Sequence, residues 1–190
     1  MVERSSLWAL QNCLMIRNLI YVIEDPEKKS LVLHVLNQFD QLVLPKIDCL
    51  EKGIIHGDFN EHNIIVEDDK VISLIDFGDS QYAPVLFEIA ICLCYIILQG
   101  QHFEMCKHVL EGLKTRRILT SLEITLLKIS ICARLCQSLV LGLYTYSKDP
   151  NNKYVLSSQI NGWKQLQMLV PMEQAVLENS WNLEGHNENQ

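Results

Sequence analysis

The chain has 190 residues, enough for one ordinary domain or one lobe of a larger protein, and its 48% hydrophobic and 21% charged content excludes wholesale disorder. Acids outnumber bases 23 to 16, for a net charge of −7, which excludes a broadly basic nucleic-acid-binding surface. The acidity is concentrated between His56 and Ser80, where Asp58, Glu61, Glu67, Asp68, Asp69, Asp76 and Asp79 face one base, Lys70.

The residues after Met1 do not read as a signal peptide. The longest nearly apolar run, Val85 to Leu98, is too short for a membrane span of about 20 residues and reads as a buried helix. The seven cysteines contain no CxxC pair and lie mostly in apolar helical patterns. That usage predicts reduced core thiols in a cytoplasmic protein.

Residues 5 to 24 are predicted helical, capped by Ser5 or Ser6, with Leu7, Leu10, Leu14 and Leu19 on the apolar side. Asp25-Pro26-Glu27 starts a second helix, with Asp25 as N-cap and Pro26 at N1. Leu31, Val35, Phe39 and Leu42 carry it toward Pro45, which kinks or ends it.

At Gly53 the period changes. Ile54-Ile55 enters His-Gly-Asp, and Ile64-Ile65-Val66 and Val71 to Ile75 read as two strands joined by a turn at Glu67 to Lys70. From Pro84, expected at N1 of a helix to Leu98, the chain is predicted helical nearly to its end. Thr120-Ser121-Leu122-Glu123 is a capping-box pattern opening a helix that carries Leu126, Ile129, Cys132, Leu135 and Leu139. A loop at Lys148 to Asn152, helices over about 154–168 and 172–182, and a frayed tail at 185–190 complete the reading. The fold class is mainly α, with one small β-hairpin that carries most of the unusual chemistry.

That segment has the parts of a phosphoryl-transfer site: His56-Gly57-Asp58, then Asn63 five residues after Asp58, then Asp76-Phe77-Gly78 beyond the hairpin. One carboxylate must orient or accept the proton of an attacking hydroxyl, and oxygen ligands must hold magnesium against nucleotide phosphates. An Asp and an Asn on one tight loop divide those tasks, and an Asp returned by a hairpin completes the metal site.

On H-G-D-F-N-E-H-N and I-D-F-G-D-S-Q-Y the chain resembles the aminoglycoside phosphotransferase and choline kinase group, relatives of the protein kinases. V-L-F-E-I-A-I, A-R-L-C-Q-S-L-V and G-W-K-Q-L-Q extend the likeness over roughly residues 50–170. The resemblance implies a catalytic pair of Asp58 and His56, with His56 bracing the loop, and magnesium and nucleotide held through Asn63 and Asp76. It implies that Gly57 allows the tight turn, that Phe77 and Gly78 aim Asp76, and that Glu88 ties down the catalytic loop. The implied acceptor is a small amine-bearing alcohol, 5-hydroxylysine, and the implied donor a nucleoside triphosphate, GTP expected. No nucleic-acid or membrane partner is implied.

The first glycine of the chain is Gly53, and no glycine-rich phosphate loop or strand lysine precedes it; Lys28 and Lys29 lie in a helical context. Residues 1–184 are therefore expected to form only the C-terminal lobe of this kinase-like fold, without the nucleotide lobe, weak or inactive as an isolated enzyme. Two other readings compete: a non-catalytic kinase-like binding module, and a metallohydrolase using His56, Asp58, His62 and Asp76. Asp79 is read evenly as a substrate-ammonium contact or a cap, and His62 is given no role in the kinase reading.

Overall fold

The computed structural model describes residues 6–99 and 103–183. Ser5 and the expected tail at 185–190 lie outside the described residues. The order is a 3₁₀ segment (Leu10–Val22), α1 (Pro26–Leu42), a 3₁₀ turn (Leu44–Cys49), β1 (Lys52–Ile55), β2 (Ile64–Glu67), β3 (Lys70–Leu74), β4 (Gln81–Pro84), α2 (Val85–Leu98), α3 (Cys106–Lys114), α4 (Ser121–Lys148), α5 (Gln159–Leu169) and α6 (Gln174–Ser180).

The first helix departs from expectation in start and type. It begins at Leu10 with Ala9 as an N-cap lacking a side-chain hydrogen bond. Ser6 Oγ instead accepts from the Trp8 amide at 3.1 Å, ahead of the helix. In a 3₁₀ helix, residues three apart share a face. The buried set is accordingly Leu10, Cys13 and Ile16, with Leu7, Leu14 and Leu19 packed at its margin.

α1 starts where local chemistry dictates. Asp25 Oδ1 accepts from the amides of Glu27 (2.9 Å) and Lys28 (3.2 Å), with Pro26 next in line. Val32, Val35, Leu36 and Phe39 are buried, Leu31 is partly so, and Leu42 is exposed at the helix end. Pro45 sits in the 3₁₀ turn that follows, so the helix stops before it.

α4 is the spine of the core. Thr120 Oγ1 accepts from the Glu123 amide at 3.2 Å while Glu123 Oε2 accepts from the Thr120 amide at 2.9 Å, the predicted reciprocal cap. All five expected apolar positions are buried. By length and composition α4 could cross a membrane, but 89% of its apolar window is buried under the 3₁₀ segment, α1, α2 and α5. It is the core helix of this lobe. Gly142 permits a close crossing: a Cβ there would lie 2.5 Å from the Val155 carbonyl oxygen. Residues 153–156 form a 3₁₀ turn, so the helix expected over 154–168 begins only at Gln159.

Among the described residues there are two small sheets, not one. β2 and β3 form the expected antiparallel hairpin, closed by Asp68 and Asp69 at φ 47° and 59°. These left-handed values suit a tight turn that follows the strand twist. β1 pairs with β4 across the whole site segment, Ile55 opposite Gln81 and Lys52 opposite Pro84. Pro84 therefore ends a strand and caps α2 from outside, where a helical N1 was expected. All seven cysteines are free thiols; five are fully buried and Cys49 is exposed.

Candidate active site

The β1–β4 pair clamps both ends of the site segment, and the hairpin returns the chain between them. Gly57 adopts φ +82°, and a Cβ there would stand 2.4 Å from the Asp79 carbonyl oxygen. Only glycine fits that approach, and it lays the loop before Asp58 directly against the turn after Asp76. Glu88, from the first turn of α2, accepts from the amides of His56 (3.1 Å) and Gly57 (2.9 Å). It ties the loop to the core through two charge-assisted bonds.

His56 is buried and bridges the loop at Asp58 and the end of the hairpin at Ile75. Its Nε2 lies 2.8 Å from the Ile75 carbonyl, which can only accept, so Nε2 carries the proton and Nδ1 accepts from the Asp58 amide at 3.4 Å. The ring also stacks near Phe77, centroids 4.8 Å apart. Both nitrogens are thus engaged inside the protein. His56 is thus placed as the brace of that loop.

Asp58 receives four side-chain donors. Tyr95 Oη (2.8 Å) and Arg134 Nη2 (2.9 Å) donate to Oδ1; Asn60 Nδ2 (2.9 Å) and Asn63 Nδ2 (3.2 Å) donate to Oδ2. Both asparagines also donate to the Asp58 carbonyl, at 3.0 and 2.9 Å. Arg134 is 1% exposed and Asp58 27%, so the ion pair is shielded at one end and open to the cleft at the other. Burial works against the charge on Arg134, but Tyr95 and Asp58 more than offset it and its pKa is raised. Burial likewise pushes the Tyr95 phenol well above its ordinary range.

Asn63 uses its amide nitrogen on Asp58, which leaves Oδ1 as its remaining side-chain oxygen. Its carbonyl accepts from the Ile75 amide at 3.0 Å, so the residue before Asp76 is registered against it. Asp76 takes φ 62°, a left-handed conformation that costs a non-glycine residue strain and recurs at functional sites. Asp58, Asn63 and Asp76 line one cleft of about 650 Å³ with Trp8, Glu61, His62, Tyr95 and Tyr154. An amide oxygen and a carboxylate lining one cleft are the hard-oxygen donors that magnesium takes, which is the fit expected of a nucleotide–metal site.

His62 is exposed beside Glu61, 3.4 Å away, and Asp79 contributes its backbone to the Gly57 approach and does not line the cleft. Among the described residues, no group of three His, Cys, Asp or Glu side chains is placed to hold a metal ion. With both His56 nitrogens occupied, the four-residue transition-metal centre is not formed. Arg134, Tyr95 and Asn60 were not singled out by sequence. The one signal for Arg134 was a cation inside the apolar run of α4.

Fold and site together are those of a partial kinase-like fold. Residues 16–104 match the model described as the phosphotransferase enzyme family. The chain is 31% identical to the hydroxylysine kinase of Mus musculus over 186 residues, covering 92% of this chain and 50% of that protein. It is 30% identical to the Xenopus laevis hydroxylysine kinase over 187 residues, with the same coverage. The chain is thus similar to these kinases, and it spans about half the length of the curated relatives it matches. No solved structure matches it.

Proposed function

We propose that this chain supplies the catalytic and metal-binding lobe of a small-molecule kinase that moves the terminal phosphoryl group of a nucleoside triphosphate, expected to be GTP, onto the hydroxyl of 5-hydroxylysine. The observation that carries the reading is the convergence of Asp58, Asn63 and Asp76 on one cleft. The kinship to hydroxylysine kinases supports the acceptor and the donor. Asp58 orients the acceptor hydroxyl and takes its proton as the new oxygen–phosphorus bond forms and the bond to the leaving nucleoside diphosphate breaks. Asn63 Oδ1 and Asp76 would hold magnesium, which when bound offsets the charge of the phosphates. Glu61 and the rings of Trp8 and Tyr154 give the cleft wall an acidic, aromatic character that suits a cationic amine. The free thiols suit a reducing compartment, the cytoplasm.

Among the described residues no lysine or arginine lines the cleft, so the 190 residues alone should turn over weakly or not at all. The test therefore has two parts. Manganese binding to the chain, followed by electron paramagnetic resonance, should be lost in Asp76→Ala. Joined to the unmatched half of the mouse relative, the chain should phosphorylate 5-hydroxylysine in a magnesium- and nucleotide-dependent way, and Asp58→Ala should cut turnover at least about 10²-fold. Normal turnover in Asp58→Ala would overturn the assignment.

A further inference from the structure

We propose that Arg134, acting with Tyr95, is the residue that positions Asp58, and that it leaves Oδ2 as the oxygen that exchanges with the acceptor hydroxyl; this rests on the phosphotransferase reading above. A carboxylate offers about four acceptor sites, and in Asp58 all four are filled. A substrate hydroxyl must therefore displace a donor. The two oxygens differ in what that displacement costs.

At Oδ1 the donors are fixed. Arg134 is fully buried and held at three acceptors: Asp58 Oδ1, Tyr95 Oη at 3.0 Å and the Trp8 carbonyl at 2.7 Å. Its guanidinium also lies over the rings of Trp8 (5.0 Å) and Tyr95 (5.5 Å). Moving it would strand a buried charge, which is among the costliest changes available to a protein interior. Tyr95 is locked in the same network, accepting from Arg134 while donating to Asp58.

At Oδ2 the donors are neutral amides, and each keeps a second bond to the Asp58 carbonyl if it lets go. Exchange there leaves no amide group stranded. The Asn63 contact is also the longest of the four, 3.2 Å. The charged side thus holds the carboxylate plane, and the amide side yields to substrate. Arg134 reaches Asp58 without lining the cleft, so it acts through Asp58 and not on substrate.

The test is the rotamer distribution of Asp58 in the 190-residue chain, read from three-bond carbon–carbon couplings by NMR. The wild-type chain should show one χ1 rotamer. Arg134→Met should show averaging between rotamers, Arg134→Lys should restore part of the single-rotamer signal, and Asn60→Ala should leave it single. Tyr95→Phe keeps the test open if Arg134→Met fails to fold, and it should show partial averaging. In the joined enzyme, Arg134→Lys should lower kcat about tenfold or more with KM changed less than about twofold, as displacement of a reacting group does. A single Asp58 rotamer in both Arg134→Met and Tyr95→Phe, or an unchanged kcat in Arg134→Lys, overturns the positioning role. If Asp58→Ala also turns over normally, the phosphotransferase reading falls with it; if Asp58→Ala is dead, the positioning role alone is lost.

Discussion

Glu88 and Gly57 meet across 31 residues of sequence, the carboxylate of one accepting the amide of the other at 2.9 Å. The second oxygen of Glu88 takes the His56 amide, so the loop before Asp58 hangs from the first turn of α2. Glu88→Ala would leave two amides without that partner. Bonds to a charged group are worth roughly 1.5–3 kcal/mol each, and water can recover part of the loss at a half-buried site. The expected destabilisation is about 2–4 kcal/mol by urea unfolding, with a smaller loss for Glu88→Gln, whose amide oxygen can still accept. Unchanged stability in Glu88→Ala would remove the tie from the account of the loop.

Asp76 separates stability from function. Asn tolerates the left-handed backbone about as well as Asp, so Asp76→Asn keeps the φ 62° turn. It also removes one carboxylate from a cleft that already holds Asp58 and Glu61. The melting temperature should hold or rise slightly, while manganese affinity falls at least about tenfold, no less than the usual loss on removing a mere supporting group. Equal affinity in the variant would show that Asp76 is not a ligand.

The parts of the fold legible in the sequence were those with local causes. Asp25-Pro26, the Thr120–Glu123 box and the Glu67–Lys70 turn each fix geometry within four residues of chain. The pairing of β1 with β4 was not legible, because Ile55 and Gln81 are partners across 26 residues of chain, with the whole hairpin between them. The first segment was read as an ordinary helix with Leu7, Leu10, Leu14 and Leu19 on its apolar side; the three-residue period of Leu10, Cys13 and Ile16 appears only in the folded chain. At the site, H-G-D, Asn63 and Asp76 stood out by spacing. Tyr95 and Arg134 did not, since they project from the core-facing sides of α2 and α4, where a tyrosine or a lone arginine has no motif to mark it.

Glu123 is the buried member of a second network. It is 1% exposed, closes the cap of α4, and accepts from Arg117 at 2.9 and 3.1 Å. Thr120→Ala removes one capping bond and should cost about 1 kcal/mol. Glu123→Ala removes the other half of the cap and strips Arg117 of its buried partner, so a loss of about 3 kcal/mol or more is expected. Arg117 retains Glu51 at the surface, which should soften the loss but not cancel it. Denaturant unfolding of the two variants would check the order, and equal losses would refute it.

Burial of thiols makes the fold sensitive to alkali. Desolvation pushes Cys92 up to about 11, and Cys13, Cys106 and Cys132 up to about 12, from an ordinary value of 9.0. These groups hold their protons in the native state after the unfolded chain has released them. Their stabilising effect is therefore intact below pH 9 and is lost as pH rises from 9 toward the native values. Each contributes a slope of about 1.4 kcal/mol per pH unit in that window. In reducing buffer the unfolding free energy should be level near pH 7–8 and fall steeply above 9. Cys132→Ala should reduce that slope by about one thiol's share, whatever it does to stability at neutral pH, whereas the exposed Cys49→Ala should leave the slope as it was. Stability that stays flat to pH 11, or a slope that Cys132→Ala leaves unchanged, would mean that these thiols are not held protonated by the fold.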